Sequence, residues 1–354
     1  MSTTGMSWQD DEVIVGVDTH QRTHHAVALD HTGGVIADQE FPASQAGDNA
    51  LLAWAQTLGT IGAIGIESTG SYGAGLTRTA LAGGHEVIEV NRPAKAVRAR
   101  AGKSDPIDAE SAARAVLAGT ATARPKVSTG VVESIRTLNL ARDGAVKSRT
   151  AALLQLRDLV TTAPNEIRDI LLPLTAAARV SKAAALRPDP ARLEEPAHAV
   201  RHALRTLARR VQYLEEQIAD TDSALSALVK QTVPTLVAAR QVGTQTAAAL
   251  LICAGQNLDR FASEASFAKL TGAAPLPASS GKTHRVRLNR GGDRQANKAL
   301  HLVAVGRLRS DPRTREYAKR RRAQGLSTPD ILRCLKRALV RESFSALKTD
   351  LLRA

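Results

Sequence analysis

Cysteine, aromatic residues and long apolar runs are all scarce in this chain. Two cysteines among 354 residues, Cys253 and Cys334, exclude a disulfide framework and a four-cysteine zinc module, so a reduced cytosolic protein is expected. No stretch approaches the roughly 20 consecutive apolar residues that a membrane helix needs. The N-terminal run MSTTGMSWQDDE is polar and acidic, which predicts neither a secretory signal nor a transit peptide. Aromatics make up 3 % of the chain, too few for platforms on which unpaired bases stack. The nine histidines show no finger or HExxH spacing, and His198 and His202, on one helical face among arginines, read as solvated.

Positive charge, by contrast, is abundant and localised. From Ser279 to the C-terminus stand 20 Lys and Arg against 6 Asp and Glu, while the first 278 residues hold 28 of each. The whole net charge of +14 therefore belongs to the last fifth of the chain. Charge gathered in this way predicts a polyanionic partner, nucleic acid, held chiefly through its phosphates.

The N-terminal part reads as an α/β domain. EVIVGVD (12–18), HHAVALD (24–30) and VIADQEF (35–41) are strand-like runs joined by short turns, hence an antiparallel meander. A helix over DNALLAWAQTL, a strand AIGIEST, a helix LTRTALAGG and a strand HEVIEVN follow, and then a helix that opens at SDPID. This succession is the ribonuclease H-like pattern, with a mixed sheet whose later strands arrive through crossovers. From about Val131 to Val233 the chain is helical throughout. Leu204, Leu207, Val211, Leu214, Ile218, Thr221, Leu225 and Leu228 keep a 3-4 spacing, an a/d seam covered by an earlier helix of the same chain or by a second subunit. Beyond Thr235, RQVGTQTAAALLICAG resembles a helix-hairpin-helix turn, and the mainly helical remainder is basic.

Four acids stand out. Asp18 ends the first strand, Glu67 ends the fourth, and Asp105 and Asp108 open the helix that packs over the same sheet edge. Residues three apart share a helical face, so four carboxylates from three elements converge. Their repulsion calls for divalent cations, and an oxygen-rich set suits magnesium, with manganese an alternative. Two such ions can clamp a phosphodiester during in-line displacement. Taken alone, Asp105 and Asp108 also suit a helix start, with Asp105 as N-cap and Pro106 at the first helical position. In ASSGKTHRVRLNRGGDRQANKAL, Ser279 and Ser280 precede a basic run, and RGGDR reads as a flexible turn. Lys282, Arg285, Arg287, Arg290 and Arg294 are candidates for holding phosphate, and the serines serve equally well as hydrogen-bond donors to DNA.

VGVDTHQRTHHAVALD, IESTGSYG, VNRPAKAVRARAGKSDPIDAESAARAV and GAAPLPASSGKTHRVRLNRGGDRQANKAL, in this order, resemble the DEDD transposases of the insertion-sequence 110 family. The resemblance runs from about residue 12 to the C-terminus and implies a RuvC-like DEDD domain (1–127), a helical coiled-coil segment (128–234) and a C-terminal transposase domain (235–354). It implies that Asp18, Glu67, Asp105 and Asp108 bind Mg²⁺ and that Ser280, before the glycine of the SG motif, is the nucleophile, with Ser279 beside it. The implied activity is excision and integration of an insertion sequence, guided by a structured bridge RNA that pairs with donor and target DNA. The implied assembly is a homodimer or homotetramer with the active site shared between subunits, in the bacterial cytoplasm at the nucleoid. A hydrolytic RuvC-like nuclease or junction resolvase, an actin-like ATPase and a non-catalytic nucleic-acid-binding protein are the alternatives. The ATPase would need a second Gly-rich half, and the second half of this chain is helical and basic.

Overall fold

The computed structural model describes residues 8–91, 104–278 and 286–352. The chain forms two compact units, Met1–Val132 with Ala254–Phe267, and Glu133–Cys253 with Ala268–Ala354.

In the first unit, β1 (Glu12–Thr19), β2 (Thr23–Leu29), β3 (Val35–Pro42), β4 (Thr60–Glu67) and β5 (Val87–Val90) form one sheet in the order β3-β2-β1-β4-β5. The first three strands are antiparallel neighbours, whereas β4 joins β1 and β5 joins β4 in parallel. The expected meander and crossovers are thus both present. The helices are α1 (Gln45–Leu58), α2 (Ala74–Ala82) and α3 (Asp105–Leu117). Ser44 caps α1 by accepting a hydrogen bond from the Gly47 amide at 3.2 Å.

Strand alternation sorts the core into two faces. Val13, Val15, Val17, Ile64 and Ile66 pack with Leu51 and Ala55 of α1 and Leu76 and Ala80 of α2. Ile14, Ala63 and Ile88, on the opposite face, pack with Ala109, Ala112, Ala113 and Val116 of α3. That second layer is unusually tight. A methyl group at Gly16 would overlap the Ala109 carbonyl oxygen and the Ala113 amide nitrogen, and would lie 2.8 Å from the Ala113 Cβ. At Gly65 it would lie 2.7 Å from Val116 Cγ2 and 3.0 Å from the Ala112 carbonyl. Two glycines on the strands and an alanine face on the helix therefore let backbone rest nearly on backbone.

The start of α3 differs by one residue from the expectation. Ser104, extended at φ −148° and ψ 153°, is the cap, and Asp105 is already helical. The Asp108 amide donates to the Ser104 carbonyl at 3.1 Å, so the first helical turn closes on Ser104. The Asp105 carboxylate is not engaged in capping.

The second unit is mainly helical. α4 (Gly130–Thr161), α5 (Asn165–Leu171), α6 (Ala176–Ala184) and α7 (Pro196–Thr232) contribute Ala152, Leu156, Val160, Ile167, Leu171, Val180, Leu204, Ala208 and Val211 to one core. Of the a/d seam on α7, Leu204, Val211, Leu214, Ile218 and Leu225 are buried, while Leu207, Thr221 and Leu228 are half-buried. The N-terminal half of that seam packs into the core shared with α4, α5 and α6, and α6 lies directly against it. α4 is also pinned to α7 further along by Arg142, whose Nε donates to Asp222 Oδ1 at 2.6 Å. α8 (Pro234–Ala238) and α9 (Thr244–Ala254) flank a turn in which Gln241, at φ 64°, takes the left-handed conformation rather than Gly243. α10 (Glu264–Leu270) begins within the Ala254–Phe267 segment of the first unit, and the two-stranded β6 (Leu276–Pro277) and β7 (Val286–Arg287), α11 (Arg294–Ser310), α12 (Pro312–Ala323) and α13 (Thr328–Leu351) follow in the second. Asp293, Asp311 and Ser327 cap the last three helices.

The glycine contacts predict a ranked series. Gly16→Ala destabilises the protein by about 1–3 kcal/mol, because only backbone can yield. Gly65→Ala costs less, because its nearest neighbour is a movable valine methyl. Gly70→Ala, which meets nothing within 4 Å, is neutral. Denaturant unfolding of the three variants measures the order.

Candidate functional site

The acid cluster forms where β1 and β4 end. Val17 pairs with Ile66, so Asp18 and Glu67 stand one step further along two parallel neighbours. Both follow a glycine by two positions, and alternation turns them to the face that α3 covers. The Thr19 hydroxyl donates to the Glu67 carbonyl at 3.0 Å, tying the two strand ends together at this level. The first turn of α3 carries Asp105 and Asp108 to the same place. Asp18, Glu67 and Asp108 are buried, whereas the Asp105 side chain is 46 % exposed.

One member of the cluster is absent from the sequence reading. His20, directly after β1, places Nε2 3.2 Å from Asp18 Oδ2 and 3.3 Å from Asp105 Oδ1. One donor atom from each of Asp18, His20 and Asp105 lies within 4.8 Å of the other two. The local signal was the i, i+2 spacing in DTH, which in an extended strand puts both side chains on one side. Its partner Asp105 is remote in sequence, and no spacing rule reaches that far.

Burial pushes the Asp18 carboxyl above its usual range. His20 opposes that shift, and the charges of Asp108 and Asp105 reinforce it. A buried carboxylate with like-charged neighbours is stabilised by any positive charge brought beside it. The donor set is mostly oxygen, partly open to solvent through Asp105, and fits a divalent cation.

Of the serine and basic candidates, Ser279, Ser280, Lys282 and Arg285 lie outside the described residues. Arg287, Arg290 and Arg294 are exposed in the second unit. The RGGDR stretch differs from the flexible turn expected. A methyl group at Gly292 would overlap the Gly272 backbone, the Asp293 amide donates to the Leu270 carbonyl at 2.6 Å, and Asn289 Nδ2 donates to the Lys269 carbonyl at 3.0 Å. The glycine pair is therefore a clamp that holds β7 and the start of α11 against the end of α10. Beside it lies a cleft of about 500 Å³ lined by Arg290, Arg294, Lys298 and His301. A second cavity of about 480 Å³ is lined by Arg287, Arg321, Arg333, Lys336 and Arg337. Lys336 is buried and donates to Asn297 Oδ1 at 2.9 Å. Burial, and then the neighbouring Arg333, pushes its ammonium below the usual lysine range.

The direction of the Asp18 shift predicts a stability effect. A carboxyl whose native pKa exceeds its unfolded value weakens the fold at pH above the native pKa. That penalty is relieved as pH falls through the native value. Without divalent cations, Asp18→Asn is expected to raise the unfolding temperature at pH 7. The gain shrinks in acid, and thermal scans across pH read it. A lower unfolding temperature at pH 7 would contradict the electrostatic account.

The chain is similar to known proteins over both of its functional segments. Residues 15–163 match a family model described as a transposase, of the DEDD type of IS110. Residues 238–319 match one described as a transposase of the IS116/IS110/IS902 family. An uncharacterized 43.6 kDa protein of insertion element IS110 from Streptomyces coelicolor is 32 % identical over 146 residues, 40 % of this chain and 36 % of that one. An uncharacterized 42 kDa protein of insertion element IS900 from Mycobacterium paratuberculosis is 30 % identical over 122 residues, 34 % of this chain and 31 % of that one. The chain thus spans about a third of the length of these curated relatives. Asp18, Glu67, Asp105 and Asp108 all fall inside the first matched segment, and Ser280, Arg287, Arg290 and Arg294 inside the second. The chain belongs to the IS110 family of transposases.

Proposed function

We propose that this protein is a transposase that excises and integrates an insertion sequence by metal-dependent phosphoryl transfer, with Ser280 as the nucleophile. The observation that carries this reading is the delivery of Asp18, Glu67, Asp105 and Asp108 to one sheet end by β1, β4 and α3, in a chain of a transposase family. Strand order and acid placement support a ribonuclease H-like, RuvC-like first domain at 1–127, followed by a helical segment at 128–234 and a C-terminal transposase domain at 235–354.

In this reading Asp18, Glu67, Asp105 and Asp108 hold a divalent cation, Mg²⁺ with Mn²⁺ as the alternative. A cation bound there would supply charge neutralisation at the scissile phosphate. Ser280 Oγ would give its proton to solvent and form a bond to phosphorus while the bond from phosphorus to the strand's ribose oxygen breaks. That oxygen would take up a proton from solvent to leave as a hydroxyl. Arg287, Arg290 and Arg294, with Lys282 and Arg285, grip the flanking phosphates and steady the growing negative charge. The DNA of the element ends and the target is one partner and a structured bridge RNA the other. The localised charge, the arginine-lined clefts and the scarcity of aromatics all favour phosphate contacts over base stacking. Assembly as a homodimer or homotetramer, with one active site built from two subunits, completes the proposal. Among the described residues no helix is long and apolar enough to cross a membrane.

Recombination between donor and target plasmids, with the element's non-coding flank supplied as RNA, tests the reading. Asp105→Ala and Ser280→Ala each lower recombination by about 10³-fold or more. Wild type leaves a protein–DNA adduct that survives SDS, and Ser280→Ala does not. Cleavage retained in Ser280→Ala with no adduct would assign water as the nucleophile and overturn the serine step.

A further inference from the structure

His20 is held where two elements remote in sequence converge. Its backbone amide donates to the Thr23 carbonyl at 3.0 Å, closing the turn between β1 and β2. Its ring nitrogen faces Asp18 of β1 on one side and Asp105 of α3 on the other, at 3.2 and 3.3 Å. A single imidazole nitrogen carries one proton or one lone pair. Hydrogen bonding satisfies both carboxylates only as a three-centre bond that shares one proton between them, which is weaker at each.

A shared cation accounts for both. Donors in adjacent positions around an octahedral cation, with bonds of about 2.1 Å, lie about 3 Å apart. Asp18 Oδ2, His20 Nε2 and Asp105 Oδ1 approach that spacing along the two edges that meet at the imidazole. The ring is 44 % exposed and Asp105 46 %, which leaves room for water in the remaining positions. Magnesium takes oxygen donors and keeps its waters, whereas a nitrogen beside carboxylates favours first-row transition ions.

We infer that His20 Nε2 is a ligand of the cation site, so that the position it forms with Asp18 and Asp105 selects Mn²⁺ over Mg²⁺. The inference rests on the reading of the acid cluster as a cation site and adds a nitrogen to it. The two carboxylates supply charge, and the imidazole supplies discrimination between ions of equal charge.

Electron paramagnetic resonance of the full-length protein titrated with Mn²⁺ tests this without reference to recombination. Wild type shows nitrogen-14 modulation of the bound Mn²⁺ signal in spin-echo experiments, as direct imidazole ligation requires. His20→Ala loses the modulation and weakens Mn²⁺ binding about tenfold or more, while Mg²⁺ affinity changes less than about threefold. His20→Asp, which restores a donor atom, keeps tight cation binding without nitrogen modulation and moves the preference towards Mg²⁺. Mn²⁺ that binds, is weakened by Asp18→Asn, and shows no nitrogen modulation or one unchanged in His20→Ala overturns the His20 assignment alone. No Mn²⁺ binding by wild type, or binding that Asp18→Asn leaves intact, removes the cation site and the inference together.

Discussion

The backbone of α3 lies against the backbones of β1 and β4 because Gly16 and Gly65 offer it no side chain and Ala109, Ala112 and Ala113 offer the strands almost none. This contact sets the height of the helix above the sheet, and with it the position of the helix N-terminus relative to the strand ends. Asp18 and Glu67 stand two residues beyond the two glycines, at the edge of the contact. Asp105 and Asp108 stand at the start of the same helix. A helix lifted by one methyl layer would carry its carboxylates away from the strand acids, so packing density and site geometry are one constraint here.

The cluster opposes its own stability. Burial raises the Asp18 carboxyl, and the charges of Asp108 and Asp105, brought close by apolar packing, add to that rise. Folding tolerates this because the opposing hydrophobic layers are extensive: β1 is buried on both faces, and the cores above and below it are built from separate helices. His20 supplies a local counterweight from within the chain. In the proposed reading, a cation bound among these carboxylates would offset that cost.

Much of this was legible in the order of residues. The strands of the first unit announce themselves through apolar runs and alternation, and the acids stand out because they interrupt or end those runs. Some features were not legible, each for a definite reason. The string SDP contains two adjacent cap-formers, and only the extended backbone of Ser104 decides between them. Gly16 and Gly65 look like ordinary strand glycines until the helix that needs them is in place. The a/d seam of α7 reads the same whether its partners are helices of the same chain or another subunit, because both bury one apolar stripe. Gly292 appears loose in RGGDR, yet its contact with Gly272 makes it fixed. His20 escaped notice because its second partner, Asp105, reaches it only through the tertiary fold.

The central claim is that helix packing on two strand glycines builds a cation site from Asp18, Glu67, Asp105 and Asp108. Anomalous diffraction from crystals soaked in Mn²⁺ tests it most directly. The account predicts a strong anomalous peak within about 2.5 Å of carboxylate oxygens of this cluster, lost in crystals of Asp18→Asn. Full Mn²⁺ soaking with no peak at the cluster, or a peak that persists in Asp18→Asn, would contradict it.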